Sequence, residues 1–86
     1  MKEAEILQNL EKLFADLALE IRYEKGDFTG GWFRYRDKQQ IVINKELTDS
    51  QKIQILASEL KAKFDLDHLY VVPALREVIE HAGSLE

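Results

Sequence analysis

The sequence predicts an α+β domain in which three helices pack on a three-stranded antiparallel sheet, in the order α-β-β-β-α-α. Three observations predict it. Apolar residues recur at helical spacing in three separate segments. Strand-like alternation is confined to the stretch between residues 21 and 44. Strands do not alternate with helices, so a doubly wound parallel sheet is not expected. The 86 residues suit one domain, residues 1–86, and no linker, repeat or low-complexity run divides them.

The first helix is expected from residue 3 to about residue 20. Ile6, Leu7, Leu10, Leu13, Phe14, Leu17 and Ile21 form its apolar stripe, with Glu3, Glu5, Glu11, Lys12 and Asp16 on the solvated side. Residues 21–25 then alternate: Ile21 and Tyr23 share one face, Arg22 and Glu24 the other. Gly26-Asp27 marks a turn. The next two strands are Trp32–Arg36 and Gln40–Asn44.

Two registers are open to that pair. A two-residue loop at Asp37-Lys38 sets Phe33 opposite Val42 and mixes apolar and charged groups on both faces. A three-residue loop, Asp37-Lys38-Gln39, sets Tyr35 opposite Ile41 and Phe33 opposite Ile43. Burial favours the second, because a one-residue slip turns every side chain over. It puts Phe33, Tyr35, Ile41 and Ile43 inward, and Trp32, Arg34 and Arg36 outward, with Gln40 and Val42 opposite them.

Thr48 followed by Gln51 is a capping-box pattern opening the second helix, whose inner face carries Ile53, Leu56, Ala57, Leu60 and Phe64. Residues 65–72 read as a turn with a short extended or helical piece. Pro73 suits the first position of the third helix, where its missing N–H costs nothing. Leu75, Val78, Ile79 and Ala82 form that helix's stripe, and Gly83 suits the position after its end.

Composition limits the functions to consider. There is no cysteine, hence no disulfide, thiolate nucleophile or thiolate metal site. No apolar run approaches the ~18–20 residues of a membrane span. The amino-terminal residues carry no secretory pattern, so a cytoplasmic protein is expected. Leu85-Glu86 matches the pair a cloning site leaves before a purification tag. The net charge is −4, yet from Arg22 to Lys45 six basic residues (Arg22, Lys25, Arg34, Arg36, Lys38, Lys45) face three acidic ones (Glu24, Asp27, Asp37). That stretch is +3 and the rest of the chain −7. The acidic total repels nucleic acid at long range but leaves room for a local basic patch.

No catalytic constellation stands out. Ser50 belongs to a helix start, and Ser58 has no histidine at activating distance in sequence. His68, between Asp67 and Leu69, reads as a surface histidine near carboxylates, and His81 as a residue of the last helical turn. Gly30-Gly31 precedes a strand, not a helix, so it suits a bulge or turn better than a phosphate loop. The run "GGWFRYR" resembles the aromatic-basic strand of RNA-recognition modules, but the order of elements here differs from theirs.

The stretch "IVINKELTDSQKIQILASELKAKF" is similar to the strand, loop and helix of minimal zinc metallopeptidases of the ImmA/IrrE type. In that family an edge strand of the form I-x-I-N leads to a helix carrying A-H-E-x-x-H. Ala57 and Glu59 match that helix, while Ser58 and Ala62 stand where its two zinc-binding histidines belong. The resemblance implies a metal-free, inactive relative with no cofactor.

The expected function is therefore non-enzymatic: protein–protein interaction through the basic hairpin, with Trp32, Arg34, Arg36 and Lys38 as the partner-binding residues and an acidic surface as the partner. Tryptophan and arginine are the types enriched at interface hot spots. Single-stranded nucleic-acid binding by the same hairpin is the alternative, and a remnant metallopeptidase a third reading.

Overall fold

The computed structural model describes the backbone of residues 2–82, and the side chains of that span except at positions 33–35. The first helix, α1, runs over Glu3–Asp16 and stops earlier than its apolar stripe. Leu19 N–H donates to Phe14 C=O (2.9 Å) and Ala18 N–H to Ala15 C=O (3.0 Å), the paired bonds of a Schellman ending. Such an ending requires left-handed backbone after the helix, and Ala18 adopts it at φ 60°. Glycine is the usual residue there, so alanine gives no composition signal. Leu17 and Leu19 still reach the core, but from the turn.

Three strands follow: β1 (Glu20–Glu24), β2 (Gly30–Tyr35) and β3 (Lys38–Asn44). Their order in the sheet is β1-β3-β2. The sheet is mixed, which corrects the fully antiparallel expectation: β2 and β3 are antiparallel, whereas β1 lies parallel to β3 with Ile21 beside Ile41. The loop after β1 carries the chain past one strand position, and the hairpin then returns β3 into the gap. First and third strands therefore run the same way.

The hairpin register also differs from both expected ones. Tyr35 pairs with Lys38, Phe33 with Gln40 and Trp32 with Ile41. The loop is Arg36-Asp37, at φ 50° and 66°. Positive φ at both central residues is the mark of a type I′ turn, whose twist matches that of the strands. Arginine is a poor advertisement for such a turn, so the sequence pointed one or two residues downstream.

Helix α2 (Asp49–Lys63) begins with the expected capping box: Gln51 N–H donates to Thr48 Oγ1 (3.2 Å), and Thr48 N–H to Gln51 Oε1 (3.0 Å). A short 3-10 turn, Leu66–His68, leads to α3 (Pro73–Glu80), with Pro73 in its first turn as expected. Gly83, Leu85 and Glu86 lie outside the described residues.

Buried Leu10 and Phe14 from α1, Ile41 and Ile43 from β3, Ile53, Leu56, Ala57 and Leu60 from α2, and Leu75 and Ile79 from α3 make one core. Each large aliphatic side chain so buried contributes about 1.5–3 kcal/mol. Lys61 closes the layer by donating to the C=O of Glu80 (2.7 Å), a carbonyl left over at the end of α3.

Candidate interaction surface at the hairpin

Trp32 lies opposite Ile41, a fully buried residue, and packs with the core against the Phe14 ring, centroids 6.4 Å apart. This overturns the outward placement expected for it. Its indole Nε1 is buried and meets no acceptor among the described residues. The cause is the register: a loop at Arg36-Asp37 puts Trp32 level with the buried β3 residue Ile41. For Arg34 the backbone position is described, paired with Gln39, while its side chain and those of Phe33 and Tyr35 lie outside the described residues. Arg36 and Lys38 are exposed at the turn and just after it.

On the other face of β3, Val42 is half-buried and Gln40 is only 8% exposed. The Gln40 amide donates to Glu20 in the adjoining strand (3.2 Å), while its Oε1 is buried without a partner among the described residues. A Cβ added at Gly31 would meet nothing within 4 Å, so open space flanks β2 there.

The loop that carries the chain from β1 to β2 is held by Asn44. Its Nδ2 donates to the C=O of Gly26 (2.8 Å) and of Phe28 (2.9 Å), and its Oδ1 accepts from Glu46 N–H (3.0 Å). All three of these bonds come from one side chain at the end of β3. Nothing in sequence distinguished Asn44 from an ordinary residue at a strand end.

At this end of the hairpin a groove of about 370 Å3 opens beside the start of β2, lined by Thr29, Leu47, Ser50, Gln51, Gln54 and Ile55. Sequence reasoning missed it, because it joins a loop, a strand end and a helix that are distant in the chain. A larger cleft of about 660 Å3 lies at the opposite end, between the α1 ending, the hairpin tip and Phe64.

Several ionisable groups elsewhere are held by structural partners. The Tyr23 hydroxyl donates to the Glu11 carboxylate, and Lys52 Nζ lies 5.1 Å from the centre of the Tyr23 ring. Burial pushes the Tyr23 phenol above its ordinary range, and the Glu11 bond and the Glu11 and Asp49 charges push it further. Arg76 bridges Asp67 (2.6 Å) and Glu80 (2.7 Å), and its hydrogen bond holds the Asp67 carboxyl below the usual carboxylate range. His68 pairs with Asp65 at 2.9 Å, fully on the surface.

Of the residues matching the metallopeptidase helix, Ala57 is buried, Ser58 and Glu59 are half-buried and Ala62 is exposed. Among the described residues no group of three or more His, Cys, Asp or Glu side chains is gathered around a common point. The Ile41-Val42-Ile43-Asn44 strand is the central one of the sheet, where the resemblance implies an edge strand. No helix among the described residues is long and apolar enough to cross a membrane. Comparison with known protein families, with characterised proteins and with solved structures finds no significant match.

Proposed function

We propose that this chain is a non-enzymatic protein-binding domain, and that the β2–β3 hairpin is its contact element. The observation that carries the reading is the position of β2. It is an edge strand of six residues, only one of them charged, and no second strand pairs with it among the described residues. Proteins usually blunt such an edge with charges, bulges or a covering element. At the other edge of this sheet three of the five β1 residues, Glu20, Arg22 and Glu24, are charged, and Arg22 and Glu24 form an ion pair at 2.8 Å.

The charge of the hairpin favours an acidic partner. Lys38 and Lys45 make no ion pair among the described residues, and the stretch around them is the basic part of an acidic chain. With Trp32 packed inward, the contact surface is centred on the edge and tip of the hairpin instead of on the tryptophan.

Photo-crosslinking from position 38, with position 77 on α3 as the control, tests this in the cells that make the protein. A discrete protein adduct from position 38 only, unchanged by nuclease, is the expected result. An adduct lost on nuclease treatment would instead favour single-stranded nucleic acid, and no adduct at either position would end the reading.

A further inference from the structure

The free edge of β2 and the groove beside it define what kind of partner fits. We propose that the partner enters as an extended polypeptide segment bearing carboxylates, added to β2 as a fourth strand. This rests on the reading of the hairpin as the contact element and specifies how contact is made.

The backbone pattern identifies the atoms. Asn44 N–H donates to Thr29 C=O (3.0 Å), so Thr29 and Asn44 are a bonded pair of the antiparallel ladder. Bonded and non-bonded pairs alternate in such a ladder. Gly31, Phe33 and Tyr35 therefore bond to β3, and Gly30, Trp32 and Arg34 turn their N–H and C=O groups to the free edge. Those groups repeat every second residue, about 6.8 Å apart, the spacing at which an incoming strand presents its own.

The side chains of an added strand would alternate between the two faces of the sheet. Those on the helix side fall toward the groove, where Leu47 and Ile55 supply an apolar wall. Gly30 brings β2 close to that wall: a Cβ there would lie 3.5 Å from Ile55 Cγ2 and 2.9 Å from the Val42 carbonyl oxygen. Those on the other side project over the open face, and toward the hairpin tip, where Arg36 and Lys38 are exposed, an acidic group meets positive charge. An alternation of β-branched and acidic residues meets both requirements, and main-chain bonds supply the rest of the affinity.

The probe is an acetylated octapeptide alternating Glu and Val, titrated into the isotope-labelled full chain, with a Lys-Val octapeptide as the control. The amides of Gly30, Trp32 and Arg34 are expected to shift saturably, and their hydrogen exchange to slow by about tenfold or more. The Lys-Val peptide is expected to bind at least about tenfold more weakly. Arg34→Pro removes an edge-facing N–H that β3 does not use, and proline is tolerated on that side of an edge strand. It should abolish binding, whereas Arg34→Gln, which keeps the N–H, should retain most of it.

Absence of any shift up to ~1 mM peptide would overturn the proposal, since that bounds the affinity below any useful contact. So would shifts confined to the helices, or an Arg34→Pro chain that binds normally. Should Arg34→Pro fail to fold, the exchange rates of the unaltered chain decide the matter alone. If the position 38 adduct persists in a folded Arg34→Pro chain, the hairpin remains the contact element and only the strand-addition mode is lost.

Discussion

The Tyr23 hydroxyl donates its hydrogen bond to the Glu11 carboxylate, joining the strand β1 to the helix α1. Because burial and the nearby carboxylates raise the phenol's pKa on folding, the protonated form is favoured in the folded state. The sign follows. This contribution is complete below the ordinary phenol value of about 10 and is lost as pH rises beyond it. Tyr23→Phe should lower stability by about 1 kcal/mol at neutral pH. Above about pH 10 the gap between variant and parent should narrow, because only the parent loses this contribution there. Urea unfolding at pH 7 and pH 11 measures both; a gap that widens with pH would contradict the assignment.

Ala18 holds left-handed backbone at φ 60°. Ala18→Gly is expected to raise stability by up to about 1 kcal/mol, since glycine adopts that conformation without steric cost. The denaturation midpoint should move up with an unchanged slope. A lower midpoint would mean that the α1 ending is not left-handed.

The turn at Arg36-Asp37 can be tested in the same way. Asp37→Gly is expected to stabilise the hairpin by about 0.5–1 kcal/mol, because type I′ turns favour glycine at the second position. Lys38→Gly and Gln39→Gly should lower stability, as both residues belong to β3. The opposite ranking would restore the longer loop that the alternation predicts.

Asn44 satisfies three backbone groups of two loops. Asn44→Ala should cost about 1–3 kcal/mol and speed amide exchange at Glu46. Asn44→Asp keeps the acceptor for Glu46 but loses both donors. It should leave the Glu46 amide protected while destabilising the chain, and equal exposure in the two variants would count against this division of roles.

Trp32 is half-buried, packed on the core against Phe14. Its emission should therefore be shifted to the blue and resist iodide quenching, and Phe14→Leu should move it toward the red. Emission at the wavelength of free indole would return Trp32 to the surface.

The helices were legible because each advertises itself locally: a stripe of apolar residues, Thr48 with Gln51, Pro73. Tyr23 and Ile21 were also placed on the correct side of β1. What was not legible depended on backbone conformation that the residue types conceal. Alanine at 18 and arginine at 36 take positive φ without the glycine or asparagine that normally signals it. The second of these moved the hairpin register and with it Trp32. The parallel pairing of β1 with β3 was hidden for another reason: strand order is a long-range property, and alternation in Ile21–Glu24 says which side is apolar but not which strand lies alongside. The groove beside β2 was invisible for the same reason.

The central position of β3 also orders the route by which the chain reaches this structure. The β2–β3 hairpin closes through two residues and can form on its own within microseconds. The pairing of Ile21 with Ile41 encloses the whole of β2, so its ends must be brought together across a longer loop at greater entropic cost. Strand β1 is therefore expected to dock late, after the hairpin has closed, and substitutions in it should change the unfolding rate far more than the folding rate.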